Sequence, residues 1–111
     1  MKLLLRLLIN TVSVFVAAKI VSGIELNSIE TAFIVAIVLG VLNTFIKPIL
    51  IILTLPINII TLGLFTFIIN GFLVLLVSYF VPGFVVATLI SALLFSILLS
   101  LISAFLGMLL H

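Results

Sequence analysis

Along this chain the apolar positions fall into four long blocks with little contrast inside each, so the informative positions are those that interrupt them: glycines, prolines and a few polar residues. The first block, Leu3 to Ser22, would reach about 30 Å as a helix, the thickness of a bilayer core. It stops at Gly23, and the most polar stretch of the chain follows, Glu25-Leu26-Asn27-Ser28-Ile29-Glu30, which reads as a solvent-facing loop. Ser28 is suited to cap a second helix starting near Ile29, with Glu30 at its positive dipole end. That helix meets Pro48, which cannot donate to Thr44 and predicts a kink or stop at Lys47-Pro48; Pro56 and Gly63 add further breaks. A third span runs from Leu64 to Val81 and ends at the turn pair Pro82-Gly83, and Thr88 can cap a fourth that continues to Leu110. The pattern predicts an all-α integral membrane protein of about four transmembrane helices, kinked or broken near Lys47-Pro48 and Pro56.

Laying residue i on residue i+60 exposes an internal repeat. Ile9, Asn10, Val14, Val21 and Gly23 fall on Ile69, Asn70, Val74, Val81 and Gly83; Ala32, Ile37, Leu39, Phe45 and Leu50 fall on Ala92, Ile97, Leu99, Phe105 and Leu110. Aliphatic matches arise by chance between leucine-rich helices, but asparagine and glycine matching in one register do not. Residues 1–111 therefore read as one transmembrane domain built from two copies, about 3–51 and 63–111. Lys2 and Arg6 before an apolar run, with Val16-Ala17-Ala18 behind it, resemble a secretory leader. The repeat makes the first span half of a duplicated unit instead.

Composition removes any soluble alternative. Of 111 residues 68% are hydrophobic and 5% charged, the mean hydropathy is +1.87, and no formal charge occurs from Pro48 to Leu110. A domain folding in water carries roughly a quarter of its residues charged. Positive residues mark cytoplasmic ends, so Lys2, Arg6 and Lys47 place the N-terminus in the cytoplasm and the Glu25/Glu30 loop outside. Lys19, near the outer end of the first helix, can snorkel to the interface and meet Glu25 or Glu30. A net charge of +2 is too small to suggest nucleic acid, and without cysteine there is no disulfide frame or thiol nucleophile.

Candidate chemistry is sparse. Glu25 and Glu30 read as solvated loop charges, and His111 as a terminal imidazole with no companion ligand, so no catalytic residue, metal site, cofactor or small-molecule substrate is assigned. The costly residues are Asn10, Asn43 and Asn70, since an amide unsatisfied in hydrocarbon loses several kcal/mol. They are expected to bond across helices. Helical spacing aligns Arg6, Asn10, Ser13 and Ala17; Ala32, Ala36, Gly40, Asn43 and Lys47; and Ala92, Ser96, Ser100, Ser103 and Gly107. Such small and polar stripes are packing seams, within one chain or between copies.

Several ordered segments carry a resemblance. Asn43-Thr44-Phe45-Ile46-Lys47-Pro48-Ile49-Leu50, Leu53-Thr54-Leu55-Pro56, Thr61-Leu62-Gly63-Leu64-Phe65, Ile69-Asn70 and Val81-Pro82-Gly83-Phe84 resemble the small bacterial membrane proteins of phage holin superfamily IV, also called the YvlD-like family. The resemblance implies an inner-membrane protein of about four helices with a kinked or broken segment around Lys47-Pro48 and Pro56, and it offers no catalytic or ligand residues to carry over. Ser22-Gly23 departs from the family, which commonly has proline before that glycine. The expected function is holin-like: a bacterial inner-membrane protein whose partners are the lipid bilayer and its own copies. The alternatives are an envelope structural or adaptor protein and a small ion or solute channel.

Overall fold

A computed structural model describes residues 2–110; Met1 and His111, the imidazole assigned no role above, lie outside the described residues. Helix α1 (Lys2–Ile20) leads into a three-residue strand β1 (Ile24–Leu26), and helix α2 (Ile29–Leu53) follows. A short helix α3 (Leu55–Ile60) precedes α4 (Phe65–Phe80), then strand β2 (Phe84–Val86) and helix α5 (Leu89–Leu110). The caps lie where the polar residues placed them. Ser28 Oγ accepts from the Thr31 amide at 3.2 Å and Thr88 Oγ1 from the Ser91 amide at 3.1 Å, each satisfying an orphan N–H of a first turn.

One expectation needs correction. The stretch after Gly23 is not a plain loop, because β1 and β2 pair antiparallel, with Ile24 opposite Val86, Glu25 opposite Val85 and Leu26 opposite Phe84. The Asn27 amide donates to Gly83 O at 3.1 Å and the Ala87 amide to Gly23 O at 2.8 Å, closing both ends of the ribbon. Three residues are too few for an alternating pattern to register, and the partner strand lies far away in sequence. Of the two outcomes open at Pro48, a kink or a stop, the stop does not occur there: Pro48 sits inside α2, which runs on to Leu53, and the break falls at Thr54, with Pro56 in the first turn of α3. Proline is tolerated there because those amides lack intrahelical partners anyway.

The ribbon fixes the topology. Since β1 and β2 are joined, α1 and α4 both end at that side of the bundle, and α2 and α5 both start from it. Residues 54–64 therefore lie at the opposite end and do not return through the bundle. The four long helices form a ring in which α1 touches α2 and α5, and α4 touches the same two. Three of them are long and apolar enough to cross a membrane; α4, at 16 residues, is shorter.

Packing is uneven along the ring. Near the ribbon, Val14, Val35, Leu73 and Val77 are wholly buried and Phe84 lies against Phe95 with ring centroids 5.5 Å apart. Away from it, α2 has no fully buried residue after Leu39, and α5 none after Ser96, among the described residues. The exterior is a coat of exposed Leu, Ile and Phe, suited to lipid tails, against which burial gives no hydrophobic gain and close contact must hold the helices together.

The turn at the far end has its own polar lock. Asn58, 7% exposed, donates from Nδ2 to Thr54 Oγ1 at 3.1 Å and accepts at Oδ1 from Thr66 at 3.1 Å, while its carbonyl receives the Gly63 amide at 2.7 Å. Together with the Leu62 amide bonded to Ile59 O, this closes α3 in a Schellman arrangement, with Leu62 and Gly63 at positive φ. Asn58→Leu should remove both side-chain bonds at a cost of about 1 kcal/mol. Hydrogen exchange checks it: amides 58–66 should lose protection while Asn27 and Ala87 keep theirs.

Candidate functional site

The stripes read from sequence divide at the boundary between the packed and open halves of the bundle. Ser13, Ala17, Ala32, Ala36, Ala92 and Ser96 are buried near the ribbon, with Ser13 Oγ donating to Ile9 O at 2.7 Å and Ser96 Oγ to Leu93 O at 2.9 Å. Here small side chains let backbones approach. Further down, Gly40, Asn43 and Ser100 are exposed and Ser103 half-buried, and a Cβ added at Gly40 or Gly107 would meet nothing within 4 Å. The same stripes that close one half of the ring leave the other half apart.

The gap is a polar vestibule. One lobe, of about 210 Å³, is lined by Asn10, Val14, Ala36, Leu39, Gly40, Asn43, Leu99, Ser100 and Ser103. A smaller lobe of about 70 Å³ shares Leu39, Asn43, Leu99 and Ser100 with it and adds Lys47, Asn70, Val74 and Ser96. The larger lobe far exceeds the ~15 Å³ that holds one water, and its polar lining favours filling. Thus all three asparagines singled out from sequence come together in one space. Among the described residues, Asn10 alone of the three is bonded across helices, receiving Ser103 Oγ at Oδ1 over 3.4 Å. Asn43 and Asn70 line the vestibule, and neither side chain is bonded across helices among the described residues. No fully buried side-chain N or O is left without a partner among the described residues.

Toward the ribbon the vestibule ends blind. Leu39, Val74 and Val14 at its inner wall are at most 8% exposed, and Val35 and Phe95 behind them are at 0%. Laterally it connects, through Asn10, Gly40 and Asn43, to a groove of about 510 Å³ between α1 and α2, edged by Arg6 and Thr44 and by Leu3, Leu7, Ile37, Val41 and Phe45. Lys19 lies at the other end of the bundle, with Nζ 5.1 Å from the centre of the Phe15 ring, a cation–π contact where an ion pair with Glu25 or Glu30 was expected. Pro82 and Gly83 form the expected turn, closed by the Phe84 amide on Val81 O at 3.3 Å.

Sequence reading missed two residues that hold this arrangement. Gly71 packs α4 on α5, since a Cβ there would lie 2.6 Å from Leu93 Cδ2; a glycine inside an apolar helix was the available signal. Ser91 donates to Ser22 O at 3.0 Å and fills the space beside Gly23, a contact between distant segments with no local signature.

Comparison with known proteins gives a consistent picture. Residues 1–105 match the family model described as mycobacterial 4 TMS phage holin, superfamily IV. The chain is 43% identical over 65 residues to the uncharacterized membrane protein YvlD of Bacillus subtilis, covering 59% of this chain and 55% of that protein. It is 47% identical over 49 residues to an uncharacterized protein of Streptomyces coelicolor, covering 44% of this chain and 39% of the relative. The chain thus spans about half, or less, of the curated relatives it matches. No solved structure matches it. With a family model covering nearly its whole length and four apolar helices closed by one ribbon, the chain belongs to phage holin superfamily IV, a family of four-span membrane proteins.

Proposed function

We propose that the protein is a non-catalytic component of the bacterial inner membrane that self-associates through the uncovered polar halves of α2 and α5, and in number weakens the membrane barrier as a holin does. One observation carries this reading: Gly40, Asn43, Ser100 and Ser103 line a gap that the chain's own helices leave open. The Ser100 and Ser103 hydroxyls already donate to Ser96 O and Asn10 Oδ1, so in hydrocarbon it is chiefly the Asn43 amide that favours a second copy to cover it. The blind inner wall counts against conduction through a single copy, so a lesion needs several vestibules brought together. Lys2, Arg6 and Lys47 at the end opposite the ribbon support a cytoplasmic N-terminus, and the C-terminal end of α5 shares that side. The matching layout of the two halves, each a helix, a strand and a helix with a capped start, supports descent from a duplicated unit of about 3–51 and 63–111.

The chain has no cysteine, so an introduced thiol reports cleanly. Gly40→Cys should form disulfide-linked dimers in native membranes, whereas Phe72→Cys, on the outer face of α4, should not. Overproduction should collapse the membrane potential, and Asn43→Leu should slow that collapse several-fold. Equal crosslinking at both positions, or a potential unchanged at high expression, would overturn the proposal.

A further inference from the structure

The vestibule and its side groove differ from an ordinary packing defect in their charge. Lys47 lines the smaller lobe and Arg6 the groove, while the chain's two carboxylates, Glu25 and Glu30, stand at the ribbon end. Among the described residues no Asp or Glu lies in that half of the molecule to pair with these cations. Between them lie the amides of Asn10 and Asn43, donors set around a space of about 210 Å³ and able to bond an anionic oxygen. Gly40 leaves the wall open where any side chain would narrow the passage from groove to vestibule. The groove is lined both by Arg6, Asn10, Asn43 and Thr44 and by Leu3, Leu7, Ile37, Val41 and Phe45, a mixture that suits an amphiphile with a polar head and an apolar tail.

From this we infer that the groove and vestibule form a binding site for the phosphate headgroup of an anionic phospholipid, entering sideways between α1 and α2. Arg6 engages the phosphate from the membrane surface, and its planar fork suits two phosphate oxygens at once. Lys47 supplies a second positive charge from the inner side, and Asn43 a donor between them. The acyl chain runs along Leu7 and Phe45. The site belongs to a single copy and does not require self-association, although a second copy covering the vestibule would displace its lipid.

Native mass spectrometry of the full chain released from detergent tests this on the monomer peak, so that its outcome is separate from crosslinking. With phosphatidylglycerol and phosphatidylcholine added at equal amounts, the monomer should retain phosphatidylglycerol at least tenfold more. Arg6→Gln combined with Lys47→Gln should abolish that preference, Lys19→Gln should leave it intact, and Arg6→Lys should keep part of it. Circular dichroism of each variant confirms that the helices persist. Equal retention of the two lipids, or an unchanged preference in the double variant, overturns the site. Displacement of phosphatidylglycerol by millimolar inorganic phosphate overturns the lipid assignment and leaves a site for the free anion.

Discussion

Gly71→Val should destabilise the bundle by about 2 to 3 kcal/mol, because α4 and α5 meet at this glycine with no room for a branched side chain. An added Cβ would lie 2.6 Å from Leu93 Cδ2 and 3.4 Å from the Leu93 amide nitrogen, so the leucine can swing aside but the backbone behind it cannot. In lipid this matters more than in water, since close approach is itself the main attraction between helices. Unfolding in mixed detergent, followed by helicity, should show the midpoint falling well below wild type. Gly40→Val is the contrast. Nothing lies within 4 Å of a Cβ there, so stability should hold while crosslinking between copies and retention of lipid both fall.

Gly83→Val should cost about 3 kcal/mol, by a different route. The backbone at Gly83 has φ +89°, where a β-branched residue is strained by about 1 to 2 kcal/mol, and its Cβ would fall 2.5 Å from Asn27 Nδ2. Asn27 can move, but its Oδ1 accepts from Thr31 Oγ1 at 2.6 Å, so displacing it unpicks the start of α2 as well. Gly63→Val isolates the strain, for Gly63 has φ +87° and open space around it. Its loss should be smaller by the amount the crowding adds. Equal losses at the two positions would show that the ribbon end has no need of close packing at Gly83.

These contrasts show which parts of the fold were legible in the sequence. Spans and caps were, because hydropathy over twenty residues and a hydroxyl before a helix are local signals; Ser28 and Thr88 cap where they were expected to. Helical spacing put Asn10 and Asn43 on small-residue faces, but not Asn70, and it did not give the open space they line, since spacing gives a face and not the distance to the next helix. Gly40 and Gly71 are both glycines in apolar helices, yet one faces open space and the other a leucine. Only the arrangement of the ring separates them. Pro48 left a kink and a stop both open, because a proline inside a helix removes one bond without obliging the chain to end, and α2 runs on to Leu53. The ribbon was invisible because each strand is stabilised by a partner from the other half of the chain.

The fastening at one end has a mechanical consequence in the host bilayer. Helices tied by paired strands and a dry core at one end, and left apart around a polar gap at the other, make the fastened end the stiffer of the two. Lateral pressure from crowded neighbours should therefore splay or squeeze the open end before it loosens the tied one.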